Sequence, residues 1–193
     1  MSDRRDQLLD AVLPVFAERG FAGATTRTLA AAAGVNVATL AWHFGDKEGL
    51  YDAVVDRIYD RILELDLPAA AATAPTPRQR VHALVGALYA QARGDADGIR
   101  LLLRHVMEHR GSPERVRARW STATMARAAQ VLATLDLAPD MDPRLPLLSL
   151  NHLVARYAVT EPADLAPFVD GPDPHAAVAR HLGDVACLLL GVP

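Results

Sequence analysis

Cysteine is nearly absent from this 193-residue chain. The one copy, Cys187, excludes an internal disulfide framework and any cysteine-rich zinc site. It lies in an apolar helical run, so its thiol is expected to be inert core. Aromatic residues make up only 5%, which argues against a pocket for a large planar ligand. No apolar stretch approaches the roughly 18 residues needed to cross a bilayer. The N-terminus, "MSDRRDQLLDAV", carries charges where a secretory signal needs an apolar run. A soluble, cytoplasmic protein is therefore expected, without a membrane partner. Excess positive charge is missing too. Lys and Arg total 20 against 23 Asp and Glu, a formal charge of −3, so there is no global basic signature for nucleic acid. The first 50 residues are no more basic, with Arg4, Arg5, Arg19, Arg27 and Lys47 against Asp3, Asp6, Asp10, Glu18, Asp46 and Glu48. Any attraction of a polyanion there would have to come from the placement of single cations. Strand-like alternation is also lacking.

Alanine, leucine and helical spacing are what the chain has instead. It is long enough to bury a sizeable core. Leu9, Val12, Leu13 and Phe16 form one face of a first helix, closed at Gly20. Thr25 and Thr26 precede "RTLAAAAG", a short helix ended by Gly34. Asn36 is a good N-cap for a third helix, which stops at Gly45. Asp46 caps a fourth, with Leu50, Val54, Ile58, Ile62 and Leu65 along one side. "LPAAAATAPTP", Leu67 to Pro77, reads from its prolines and small residues as a connection between a head and a body. Thr76-Pro77, Ser112-Pro113, Asp142-Pro143 and Asp173-Pro174 each set a capping residue before a proline and mark helix starts. Another helix fits between Asp95 and Arg110. The expected fold is all-α, with about nine helices.

"VNVATLAWHFGDKEGL", Val35 to Leu50, is the most informative stretch. Helix, glycine-centred turn and short helix is the layout of a helix-turn-helix. Small Ala30 and Ala33 let the second and third helices approach, and Gly34 can take the left-handed conformation of a sharp turn. Leu29, Val35, Leu40 and Phe44 can pack inward. Val37, Ala38, Thr39, Ala41, Trp42 and His43 are left for an outward surface. Lys47, the only lysine, falls in the first turn of the fourth helix. A cation is disfavoured there, whereas an anion is favoured. A phosphate held by backbone N–H groups and Lys47, flanked by Trp42 and His43, would resolve the conflict. The plain alternative makes Lys47 and Glu48 solvated surface and Trp42 core.

The combination "TTRTLAAAAGVNVATLAWHFGDKEGL", Thr25 to Leu50, resembles the N-terminal domain of the tetracycline-repressor (TetR) family of transcription regulators. The resemblance covers about the first 60 residues and is only architectural afterwards. It implies a helix-turn-helix domain at 1–50, a connecting helix at 51–66 and a helical effector-binding and dimerisation domain at 67–193. It also implies a homodimer on a near-palindromic duplex-DNA operator, released by a small-molecule effector, with no cofactor and no catalysis. Carried over by position, Thr26 and Arg27 meet phosphates, Asn36, Val37, Thr39 and Trp42 face the major groove, and His43 and Lys47 hold the backbone. The chain departs from the family at Ala41, where tyrosine is frequent. The two doubly apolar C-terminal helices are implied to pair with their copies through Leu147, Leu150, Val154, Tyr157, Val178, Leu182, Val185 and Leu189.

In the body, Leu84, Leu88, Leu102, Met107, Trp120 and Met125 are apolar candidates for an effector pocket, or else ordinary core. "HVMEH", His105 to His109, matches an H-x-x-E-H zinc pattern, with His105 and His109 on one helix face and Glu108 as a base. Arg104 and Arg110 crowd it with positive charge, so a hydrogen-bonded helix face is expected and no metal. A helical metal- or ligand-binding protein, possibly enzymatic and with a vestigial helix-turn-helix, is the competing function.

Overall fold

The computed structural model describes residues 2–108, 122–126, 128–129, 132, 135 and 142–193. Among them every regular element is a helix: α1 (Ser2–Gly23), α2 (Thr26–Ala32), α3 (Val37–Phe44), α4 (Lys47–Glu64), α5 (Leu67–Ala71), α6 (Pro77–Gly94), α7 (Ala96–Met107), α8 (Arg144–Ala158), α9 (Pro162–Leu165), a 3-10 turn (Ala166–Phe168) and α10 (Pro174–Leu190). The expected start at Ser112-Pro113 lies outside the described residues.

The chain forms two compact units that are discontinuous in sequence. The first joins the helices up to Ile62 with α7, and the second joins Leu63–Gly94 with α8 to α10. The first unit is built on Leu8, Leu9, Val12, Leu13 and Phe16 of α1, all buried. Leu29 and Ala30 of α2, Leu40 of α3, and Leu50, Val54, Val55 and Ile58 of α4 close over them. Leu101 of α7 belongs to this same core. Each fully buried side chain of this size stabilises by about 1.5–3 kcal/mol. The sequence divides the chain contiguously at 50 and 66, whereas packing assigns α7 to the N-terminal helices.

A three-helix tie accompanies that packing. Arg61 on α4 reaches Asp10 on α1 and Asp95 at the start of α7, each at 3.2 Å. Asp95 also accepts the Gly98 N–H as N-cap of α7. A Cβ at Gly98 would lie 2.6 Å from the Asp95 carboxylate, so glycine leaves the cap its room. Burial pushes the Asp95 carboxyl above its ordinary value, against the lowering effects of Arg61 and the Gly98 N–H. The folded protein therefore holds that proton more tightly than the unfolded chain. The Asp95 contribution to stability is greatest below the ordinary carboxylate pKa of about 4 and declines as pH rises through the raised value. Asp95→Asn keeps the cap and should flatten that decline, measured as the urea midpoint across mildly acidic pH.

Most helix ends follow the sequence reading. At Gly20 the chain takes φ 67, ψ −179 and breaks the helix, which resumes for a turn to Gly23. Thr76 accepts the Gln79 N–H at 3.2 Å while Gln79 returns the bond to Thr76 N at 3.3 Å. Asp173 accepts the N–H groups of His175 and Ala176. The expected connection at Leu67 to Pro77 is corrected. Asp66 caps α5 through the Ala69 N–H, and Leu67 and Ala71 are buried. A cap, a proline in the first turn and alanine's helix propensity outweigh the linker-like composition.

The second unit packs α10 against α6 and α8. Gly183 makes the close approach possible, since a Cβ there would sit 2.3 Å from the His82 ring. Cys187 is buried and its thiol pKa is pushed up by that burial, as expected of inert core. Gly86 of α6 has open space where a Cβ would go. Gly86→Ala should therefore raise stability by about 0.5–1 kcal/mol, checked by thermal unfolding.

Candidate nucleic-acid interface

Side-chain caps fix both short helices. Thr25 and Thr28 exchange backbone-to-hydroxyl bonds at 3.1 Å, a reciprocal capping box at the start of α2. This leaves Thr26 and Arg27 exposed on the first turn. Gly34 turns the chain with φ 63, and Val35 N donates to Ala30 O at 3.0 Å. Asn36 then caps α3, its Oδ1 accepting both Thr39 N at 2.7 Å and Thr39 Oγ1 at 2.9 Å.

The two faces of α3 separate cleanly. Leu40 is buried, and Val35 and Phe44 pack half-buried on the core. Val37 is 43% exposed and Trp42 75% exposed, with Ala38 and Ala41 also open to solvent. Trp42 is thus surface, and the alternative that made it core is excluded. His43 sits between Trp42, edge-on with centroids 4.6 Å apart, and Phe44.

Lys47 corrects the sequence argument. Its Nζ donates to Phe21 O and Ala24 O, each at 3.0 Å, and lies 4.2 Å from the centre of the Phe21 ring. The cation at the start of α4 is thus stabilised by carbonyls at the end of α1, where positive charge is favourable. A phosphate is not needed to explain it. Beside it, Asp46 accepts the Gly49 N–H at 2.8 Å. A Cβ on Gly49 would lie 2.3 Å from the Phe44 carbonyl oxygen. The sequence reading passed over Gly49 and Phe21; the repeated glycine in "GDKEG" was the available signal for the first.

Other expected groups fall apart. His105 is buried, with Nδ1 3.3 Å from the Tyr51 hydroxyl, and Tyr51 stands edge-on to Phe16 and Phe21. His105 therefore faces the aromatic packing of the first unit. Glu108 pairs with Arg104, and His109 lies outside the described residues. Among the described residues no group of three metal-ligating side chains gathers. Of the pocket candidates, Leu102 packs on the first unit's core and Met107 is 76% exposed. Leu84, Leu88 and Met125 belong to the second unit, with Met125 exposed. Trp120 is outside the described residues. Of the dimer candidates, Leu150, Val154, Val178 and Leu182 are buried inside their own unit, so a partner has little of them left to cover. Leu147, Tyr157, Val185 and Leu189 are half-buried, while Leu145, Leu148 and Leu188 are exposed.

These features define a helix-turn-helix protein: two capped short helices, a glycine turn between them, and an outward face on the second. Residues 8–54 match the sequence profile of "Bacterial regulatory proteins, tetR family". The HTH-type transcriptional activator FasR of Mycolicibacterium smegmatis is 37% identical over 100 residues, 52% of this chain and 45% of that protein. The HTH-type transcriptional regulator BetI of Burkholderia thailandensis is 33% identical over 84 residues, 44% of this chain and 43% of that protein. The chain thus spans about half the length of the curated relatives it matches. The fold over nearly the whole chain resembles a TetR family transcription regulator from Marinobacter aquaeolei, with TM-score 0.71, 19% identity and 95% of each chain covered. It also resembles AibR solved with isovaleryl coenzyme A and operator DNA, with TM-score 0.69, 17% identity, 98% of this chain and 99% of that one. Residues 8–54 are thus similar to the N-terminal domain of tetR family regulators, and the all-helical body resembles the fold of solved regulators of that name.

Proposed function

We propose that the chain is a DNA-binding transcription regulator that acts in the cytoplasm as a homodimer on a near-palindromic operator. The observation that carries this reading is the exposed outer face of α3, on a helix capped by Asn36 and seated by Leu40 on the first unit's core. A helix held that way can enter a major groove without reorganising. Thr26 and Arg27 at the start of α2, with His43, are the groups proposed to meet phosphates. Val37, Thr39 and Trp42 are proposed to face base edges, with Asn36 holding the helix start. Exposed Leu145, Leu148 and Leu188, with the half-buried residues beside them on α8 and α10, are the proposed dimer surface. Two-fold symmetry in the protein requires two-fold half-sites in the DNA.

Repression relieved by a small molecule in the second unit is the proposed mode of control. The complex of AibR with isovaleryl coenzyme A and operator DNA supports a ligand role for this fold; FasR is named an activator, so transcript levels in a deletion strain decide the sign. Footprinting the DNA flanking its own gene tests the reading: a protected pair of inverted half-sites is expected, and a single asymmetric half-site or no protection overturns it. Arg27→Ala should weaken all sequences about equally and lower the salt slope by roughly 0.9, as for one lost phosphate contact. An unchanged slope with altered sequence preference would reassign Arg27 to base reading.

A further inference from the structure

We infer that α3 reads its half-site chiefly through thymine methyl groups, with little use of hydrogen bonds to base edges. The inference rests on the DNA-binding reading above and names the chemistry that reading leaves open. In the major groove each base pair shows a pattern of donors and acceptors, and thymine adds a methyl group. Reading the polar pattern well takes bidentate side chains: Arg or Lys on guanine, Asn or Gln on adenine. Helix α3, "VATLAWHF", contains none of the four.

The neighbouring polar groups are engaged. The Asn36 Oδ1 caps the helix and accepts the Thr39 hydroxyl, so the amide can offer a base only its NH2. The Thr39 hydroxyl gives its hydrogen to that oxygen and can only accept. His43, partly exposed between Trp42 and Phe44, is assigned to phosphate by the reading above. Val37, Ala38, Ala41 and Trp42 remain, all exposed. The offsets of one, four and five place them on one side of the helix. They present methyl groups and an indole ring, whose Nε1–H is the single donor among these four side chains. Such a surface gains by covering the 5-methyl group of thymine and gains little from guanine or cytosine edges. Bases it meets should be A·T pairs with the methyl turned toward α3.

The test uses the whole protein and duplex DNA. A preferred site is first selected from random duplexes, and each thymine in a half-site is then replaced by uracil. Uracil keeps the hydrogen-bonding pattern and removes only the methyl group. Loss of about fourfold in affinity is expected at each contacted thymine, the effect of one buried methyl-sized group. Val37→Ala and Trp42→Ala, both surface changes, should each abolish the uracil penalty at one position and leave it at the others. Specific binding that is indifferent to uracil throughout overturns the inference and leaves the regulator reading standing. So does preference that collapses in Arg27→Ala and survives both α3 substitutions. Failure to bind any duplex at low salt removes the regulator reading and the inference with it.

Discussion

Alanine at position 49 should cost the protein about 3 kcal/mol, the largest loss expected from any single methyl group in the first unit. A Cβ there meets the Phe44 carbonyl oxygen at 2.3 Å, far inside contact distance. The obstacle is backbone at the end of α3, so no rotamer change relieves it. Either α4 slides away from α3 or the Phe44 carbonyl turns and loosens the turn at Gly45. Inserting a methylene into packed structure costs about 1–3 kcal/mol, and a backbone obstacle lies at the upper end. In a chain of this length the midpoint of thermal unfolding should fall by about 6–12 °C. Because the shift moves α3 itself, DNA affinity should fall even where the protein stays folded. A stability change below about 1 kcal/mol would mean that the α3–α4 junction is far looser than its geometry implies.

Removing the ammonium of Lys47 should come next in size. Lys47→Met keeps an apolar stem against Phe21 and deletes both charge-assisted bonds, to Phe21 O and Ala24 O. Hydrogen bonds to a charged group contribute about 1.5–3 kcal/mol, and the carbonyls left behind recover part of that from water. A loss of about 2–3 kcal/mol is expected, with weaker binding to every DNA sequence. The salt slope is expected to stay where it was, because the ammonium is engaged inside the protein. A fall of roughly 0.9 in that slope, with stability unchanged, would return Lys47 to the phosphate role inferred from its position in the sequence.

The two residues show what the sequence could and could not carry. Helix ends were legible because their causes are local. Asn36, Asp46, Thr76 and Asp173 each cap the helix that follows within three residues. Much of the inward set of the helix-turn-helix was legible from apolar character between the turns, since Leu29, Leu40 and Leu50 each lie on a separate helix and all three are buried. The bonds of Lys47 were hidden because its partners, Phe21 and Ala24, stand more than 20 residues away, and nothing local names them. The burial of four dimer candidates inside their own unit was hidden for a related reason. A helix apolar on two sides does not declare which side its own chain covers; α6 covers one side of α10. The place of α7 was invisible in the same way. Its apolar face is plain, but its partner lies on the first helix.

Chimeras that join the N-terminal helices of one chain of this fold, its head, to the remaining helices of another depend on where the cut falls. The packing of α7 decides where such a cut can fall. A donor fragment ending at residue 62 would leave behind Leu101, wholly enclosed in the head's core, and His105, which meets Tyr51. It would also leave Arg61 without Asp95. The host would have to supply a helix with the same apolar face, an acid at its start and an imidazole near its end. Chimeras that carry residues 95–108 with the head should fold, and those cut at the chain's apparent seam should aggregate.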